Sequence, residues 1–388
     1  MLHETVQAVC ALSALAIVLC VRRRSANYFL SISDTGHDLP TASPLQDVES
    51  GNDVAPLLTV IVTTSAVQSN PNTAMLETVL SSFSLVPGLD QCRRIIVCDG
   101  CRVAARARPR KGTVTADGAA AYFEFIERLK RLFRAERNRA CADCDSSEID
   151  CDDDTRVFYC TERQSSEPSA DQNSDLLLVL GQRHGFGGAV EAALRHVRSP
   201  YVMVVQHDNN FIRGFDLGAV LRAMRRWPDV LKKVDVLSTT TLRYAHAAPS
   251  KRGMPGLRLV PFAPALEDEH EPLLLRPMLY WYDKTHICST DYYRRFVFAP
   301  GSVKRGEFIE DCVGQRQLAA IRQHGMAAHA EYGVYLLEDE RQGVQDDVCI
   351  RHLHGRKFMT DVQRKARGFP LAGRGVRSLG AMCTPGAT

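Results

Sequence analysis

"LLLVLGQRHGFGGAVEAALRHVRSPYVMVVQHD", Leu176 to Asp208, decides how this chain is read. It opens on five apolar residues and turns through Gly181, Gly185 and Gly187. It then runs in helical period from about Gly188 to Val197 and ends in a second apolar run, Tyr201–Gln206. Apolar runs without alternation suit strands buried on both faces, and strand, glycine turn, helix, strand is the order of a parallel crossover. The second run emerges into Gln206, His207, Asp208, Asn209 and Asn210. Carboxyl ends of parallel strands are where α/β proteins bind ligands, so this polar knot is the first candidate site.

Working outward, the same alternation extends to both sides. Leu57–Thr64 and Arg94–Asp99 read as strands. Thr73–Leu85 reads as a helix with Met75, Leu76, Val79, Leu80 and Phe83 on one side. Tyr122, Phe125, Ile126, Leu129 and Phe133 recur at helical spacing, which predicts a helix over Ala119–Asn138. Arg156–Thr161, Val234–Leu242 and Met278–Cys288 are further strand-like runs, and Pro249–Pro277 between the last two reads as a flap or acceptor-facing loop. The pattern predicts an α/β fold with a mainly parallel sheet over residues 56–367.

The flanks differ in character. Thr5–Val21 is uncharged and apolar and is followed by Arg22, Arg23 and Arg24, which predicts a membrane anchor over residues 1–24. Residues 25–55 read as a stalk, and residues 368–388 as a loose tail. The chain has 388 residues, 45% hydrophobic and 24% charged, with a net charge of +3. That balance is globular and too mildly basic to select nucleic acid as a partner. The basic clusters Arg102–Lys111 and Arg128–Arg139 read as solvated faces. Cys141, Cys144, Cys151 and Cys160 begin with C-x-x-C and run through an acidic stretch that could hold zinc or form disulfides. Their spacing fits no zinc module, and residues 141–175 are expected to form an irregular insertion.

Two chemistries fit the glycine turn. Gly181, Gly185 and Gly187 have the spacing of the short-chain dehydrogenases, Asp208 could accept a hydrogen bond from a ribose, and Tyr280 with Lys284 gives a Y-x-x-x-K pair. This alternative is an NAD(P)-dependent oxidoreductase. Against it, a full set of strands and helices precedes the glycine turn.

In the other reading the chain resembles the GT-A glycosyltransferases, especially family 2-like members, over about Leu57–Arg356. The resemblance rests on the order of "LLTVIVTT", "RRIIVCDG", "GQRHGFGGAVEAAL", "YVMVVQHDNN" and the later "RGEFIEDCVG". It implies transfer of a sugar from a nucleotide-sugar donor to a glycan, lipid or protein hydroxyl, with inversion favoured by analogy. It also implies a divalent cation, Mn2+ or Mg2+, against the diphosphate, and a Golgi or other endomembrane location for an anchored enzyme. Thr63, Thr64 and Asp99 would line the nucleotide pocket, while Arg183, Gly185 and Gly187 would approach phosphate. Asp208 would hold the cation, in a motif where Asn210 stands in place of a second carboxylate. Asp311 would act as base, with Glu310 positioning it. In "VCIRHLHGRKF", strand alternation puts His352 and His354 on one face. His354, beside Gly355, is the preferred imidazole ligand, and the mixed oxygen and nitrogen set suits manganese better than magnesium. A catalytically silent binding protein on the same fold is the remaining alternative.

Overall fold

The computed structural model describes residues 54–104, 112–140, 144–152, 155–162, 175–251, 273–338 and 348–355, with Phe358 and Lys365. The expected anchor and tail, residues 25–53 of the expected stalk, and Cys141 of the cysteine cluster lie outside these residues, whereas Val54 is already part of the core. Among the described residues no helix is long and apolar enough to cross a membrane.

The strands are β1 (Leu58–Thr64), β2 (Arg93–Cys98), β3 (Cys144–Asp152), β4 (Thr155–Glu162), β5 (Leu176–Leu180) and β6 (Tyr201–Gln206). They continue as β7 (Asn209–Phe211), β8 (Lys233–Asp235), β9 (Leu274–Pro277), β10 (His286–Ser289), β11 (Val334–Glu338) and β12 (Ile350–His352). The main helices are α1 (Ala74–Ser81), α2 (Ala116–Ala140), α3 (Gly185–Leu194), α4 (Leu217–Arg226), α5 (Thr239–Lys251) and α6 (Gln315–His324). Ten strands form one sheet in the order β3-β4-β5-β2-β1-β6-β10-β8-β11-β9, and β12 pairs with β7 in a separate ribbon.

The centre of the large sheet, β5-β2-β1-β6, is parallel. Every residue of β1 is buried, as are the apolar residues of β6 and the Ile95–Cys98 end of β2. That is why those strands are uninterrupted apolar runs. Antiparallel strands close both flanks, so the sheet is mixed, with helices packed on it, as expected. The apolar period of α2 packs as the spacing predicts, with Tyr122, Phe125, Ile126 and Leu129 buried and Phe133 against the core.

Four expectations are corrected. Residues 144–152 are not irregular: β3 pairs antiparallel with β4, which matches the run expected at Arg156–Thr161, and β4 adds to the sheet through β5. Val234–Leu242 is strand only at its start, since α5 begins at Thr239. Strand structure within Met278–Cys288 begins only at His286; Leu279–Thr285 is irregular chain, and its apolar side chains are core packing rather than a ladder. The Pro249–Pro277 segment is helical to Lys251 and strand from Leu274, and residues 252–272 lie outside the described set.

The β7–β12 ribbon is the part of the fold that builds the site. Its register sets Asn209 opposite His352, Asn210 opposite Arg351 and Phe211 opposite Ile350. Phe211 seats the ribbon, because its buried ring meets Phe83 edge-on at 5.9 Å and Phe215 at 6.3 Å. Its backbone N–H donates to Ser82 Oγ at 3.0 Å. Phe211→Ala is expected to cost about 3–5 kcal/mol, and Phe211→Leu clearly less, measured by denaturant unfolding. Equal stability of Phe211→Ala and wild type would refute this seating.

Candidate active site

Three strands end level with one another. Thr64 is paired with Cys98, Thr63 with Gln206, and the chain beyond each strand carries the candidate residues. The ladder continues past the strand ends, since Asp99 N–H donates to Thr64 O at 2.9 Å and His207 N–H to Thr63 O at 3.0 Å. Thr63, Thr64, Asp99, His207 and Asp208 are thereby brought to one edge, as a strand-end site requires.

Asp208 lies two residues past the end of β6. Its Oδ2 lies 3.1 Å from His352 Nε2 and accepts from Gly355 N–H at 3.2 Å, while its carbonyl accepts from Leu353 N–H at 2.6 Å. Burial alone would raise this carboxyl. The His352 hydrogen bond, the His207 and His352 imidazoles and the Gly355 amide outweigh it and hold the group at about 2. Gly355 packs closely here: an added Cβ would sit 3.1 Å from Asp208 Oδ2, and the carboxylate would have to shift by a few tenths of an ångström.

The imidazole that meets Asp208 is His352 rather than His354. His354 sits at the other side of His352, with the two Nδ1 atoms 3.2 Å apart, and its backbone N–H donates to His352 Nδ1 at 3.1 Å. His352 Nδ1 is therefore an acceptor, so the Nε2 proton is the one that faces Asp208. The strand ends at His352, and His354 has a left-handed φ of 55°, so alternation does not continue to it. His207 turns inward. Its Nδ1 is 2.6 Å from Thr64 Oγ1, and burial holds its pKa below the usual imidazole value, with Asp208 opposing and His352 assisting.

Asp99 is engaged structurally. Its Oδ1 accepts from His184 N–H at 2.7 Å and its Oδ2 from Gly185 N–H at 3.0 Å, so it caps the start of α3 from across the sheet. Burial raises its pKa, against the pull of those two amides and of the Arg183 and His184 charges. The helix begins at Gly185, three residues before the expected Gly188, because this borrowed cap satisfies its first turn. Gly185 has a φ of 77°, and an added Cβ would meet Gly306 Cα at 2.7 Å. Gly187 N–H donates to Glu307 O at 3.3 Å and Gly306 N–H to His184 O at 2.6 Å. The glycine turn thus receives the 306–307 chain. The Arg183 guanidinium lies along the same contact, such that a Cβ on Gly306 would be 3.2 Å from Nη1.

Glu310 and Asp311 open a π-turn, Glu310–Gly314, that leads into α6. Glu310 is fixed by Asp283, which sequence reasoning missed: Asp283 N–H donates to Glu310 Oε2 at 3.1 Å, and Glu310 N–H donates to Asp283 Oδ2 at 3.2 Å. Asp283 is 2% exposed, and its Oδ1 has no partner among the described residues. Burial, then the neighbouring Glu310 charge, push its carboxyl up to about 8, while two amides and Lys233 act the other way. Gln206 Nε2 donates to Asp283 O at 2.8 Å, tying this pair to the end of β6. Asp311 is exposed, and its carboxylate makes no hydrogen bond or ion pair among the described residues.

The dehydrogenase pair is not assembled. Tyr280 and Lys284 lie on irregular chain rather than a helix, and the Tyr280 hydroxyl donates to Glu310 O at 2.7 Å. The α3 amides are taken by Asp99. Among the described residues no group of three or more His, Cys, Asp or Glu is arranged to hold a metal by itself. Asp208 with His352 is instead a two-residue set; Asn210, opposite Arg351 in the ribbon, has an Oδ1 that is buried without a partner among the described residues. Such a set fits a cation whose remaining positions come from a ligand's phosphates and from water.

No protein-family model matches the chain, and no curated protein matches it. Solved structures align at low similarity. A mannosyltransferase from Pyrobaculum calidifontis, solved with GDP-Man and Mn2+, aligns over 90% of this chain and 68% of its own, at 13% identity and a TM-score of 0.39. S. aureus TarS with UDP-GlcNAc aligns over 76% of this chain and 57% of its own, at 10% identity and 0.32. A CMP:2-keto-3-deoxy-manno-octonic acid synthetase with CTP aligns over 72% of this chain and 88% of its own, at 10% identity and 0.31.

Asp283 gives a stability signature. With a native value of about 8 against an ordinary value near 4, the folded state holds a proton that the unfolded chain releases. Its contribution is present at low pH and is lost as pH rises toward 8. Asp208 acts oppositely, losing its contribution as pH falls from about 4 toward 2. Wild-type unfolding free energy is therefore expected to fall relative to that of Asp283→Asn by about 1 kcal/mol per pH unit between pH 5 and 8. Parallel pH profiles of the two proteins would contradict this.

Proposed function

We propose that the protein is a glycosyltransferase that moves a sugar from a nucleoside-diphosphate sugar to a hydroxyl acceptor. The observation that carries this reading is Asp208, an ionised carboxylate with an imidazole partner at the carboxyl end of β6, tied through Gln206 and Asp283 to the Glu310–Asp311 turn. A carboxylate for a cation and a carboxylate for a hydroxyl on neighbouring segments are what sugar transfer from a diphosphate needs.

The parts divide as follows. Asp208 would hold a divalent cation, and His352 would join it through Nε2 once that nitrogen gives up its proton, a mixed oxygen and nitrogen set that suits manganese. When bound, the cation supplies positive charge to neutralise the diphosphate as it leaves. Thr63 and Arg183 lie at the same edge, where donor ribose and phosphate would be met. Asp311, exposed and without a partner among the described residues, accepts the proton of the acceptor hydroxyl. The acceptor oxygen then bonds to the anomeric carbon as the bond from that carbon to the diphosphate oxygen breaks. Direct attack of this kind inverts the anomeric centre, and the nucleoside diphosphate departs. The three similar structures carry GDP-Man, UDP-GlcNAc and CTP in their descriptions, so a nucleotide is the ligand class to screen first.

Thermal unfolding is expected to shift upward with at least one UDP- or GDP-sugar plus manganese, and the shift is expected to vanish with a chelator or in Asp208→Asn. An undiminished shift in chelator would remove the metal role, and a shift with NAD(P) alone would favour the oxidoreductase.

Asp311→Asn is expected to keep donor binding while transfer falls about 100-fold or more. Donor binding with no transfer by wild type, over a range of hydroxyl acceptors, would instead support a silent binding protein.

A further inference from the structure

We propose that Asp283 is a positioning residue that holds the Glu310–Asp311 turn against the end of β6 and so aims Asp311 at the acceptor; this rests on the transferase reading above. Glu310 is held at every polar group of its backbone and at its side chain. Its N–H goes to Asp283 Oδ2, its Oε2 receives Asp283 N–H, and its carbonyl receives the Tyr280 hydroxyl, which Gln315 Nε2 supports at 3.0 Å. Asp283 contributes two of those bonds, and its own carbonyl is held by Gln206. Gln206 lies two residues before Asp208, so one short path of hydrogen bonds spans the distance from cation ligand to base.

The neighbouring chain gives this path a rigid seat. Trp281 is fully buried, Tyr282 stacks on Tyr244 at 4.6 Å, and the Lys233 ammonium lies 4.7 Å from the Trp281 ring centre. Lys233 also donates to Tyr282 O at 3.0 Å and pairs with Asp235 at 2.5 Å, with both side chains fully buried. The segment that carries Asp283 is therefore packed, whereas the next residue after Glu310 is exposed. Fixing Glu310 fixes the backbone direction from which Asp311 projects. Burial keeps the Asp283 carboxyl at about 8, neutral at pH 7, so an asparagine has its shape and charge.

The test uses the full chain with Asp283→Ala and Asp283→Asn. Transfer by Asp283→Ala is expected to fall about 100-fold in kcat, the loss typical of a small misplacement, with donor KM within about twofold. Asp283→Asn is expected to recover most of that loss. Hydrogen exchange over residues 306–316 is expected to accelerate about tenfold in the alanine variant and stay near wild type in the asparagine variant. Full kcat in Asp283→Ala, a loss confined to KM, or an asparagine variant as slow as the alanine variant would overturn the assignment. Should wild type move no sugar, the transferase reading fails by itself, and the exchange experiment still decides the hold. Unchanged protection of 306–316 in Asp283→Ala refutes it; lost protection supports it.

Discussion

Buried carboxyl groups at the carboxyl edge of the sheet take backbone N–H groups from distant segments, and the site depends on this pairing. Asp99 takes two amides 85 and 86 residues away, Asp208 takes one 147 residues away, and Asp283 exchanges hydrogen bonds with a residue 27 away. A buried carboxyl without donors is costly, whether ionised or neutral, so each strand end fixes a loop that has little regular structure of its own. The β7–β12 ribbon shows the consequence. It is only three residues long on each side, yet its register puts His352 on Asp208 because the ribbon is held at Phe211 and by Gly355 at once.

The three carboxyl groups are treated differently by their surroundings. Asp208 gathers an imidazole hydrogen bond and an amide, which overcome burial and leave it charged. For Asp283 burial is the larger push, the Glu310 carboxylate beside it adds to it, and two helpful amides do not overcome them, so the proton stays on. Asp99 lies between, raised by burial although two amides stabilise its anion. Titratable groups driven apart in this way mark division of labour within a site. Charge is kept where a cation would sit, and discarded where a carboxyl serves only to hold a turn.

Much of the framework was legible, because burial on both faces leaves a strong mark on composition. β1, β2, β5 and β6 were read from apolar runs, and α2 from its period, within a few residues. Asp99, Asp208 and the Glu310–Asp311 pair were legible as polar residues at element ends. The apolar run from Met278 was misread as strand for a physical reason: Trp281 and Tyr282 are buried by packing against rings and the Lys233 stem, which leaves the same signature as a ladder. Asp283 was hidden inside that run, and only its depth and its exchange with Glu310 reveal it. His354 was preferred to His352 for the close backbone approach that Gly355 allows; that approach exists, but it brings the Gly355 N–H to Asp208, and the left-handed turn at His354 breaks the alternation expected to keep both imidazoles on one face. Within the hairpin, β4 was read from its apolar run at Arg156–Thr161, while β3 was missed for the opposite reason. Its acidic, cysteine-containing sequence lacks the apolar mark of a central strand, and it adds at the edge.

What can meet a ligand is what remains after these structural bonds are counted. Each oxygen of Asp99 has one amide, so this residue secures the glycine turn before it can read a nucleotide. Asp208 has both of its side-chain partners on Oδ2, which leaves Oδ1 as the acceptor with negative charge to offer. Asn210 adds a buried carbonyl oxygen without a partner among the described residues, and Asp311 adds an exposed carboxylate. On the proposed reading, an asparagine at 210 where the resemblance expects a second carboxylate has a consequence in charge. A cation held by one protein carboxylate keeps more of its positive charge for a diphosphate than one held by two, at the cost of weaker retention without the nucleotide. On the proposed reading, cation and donor would be held best together.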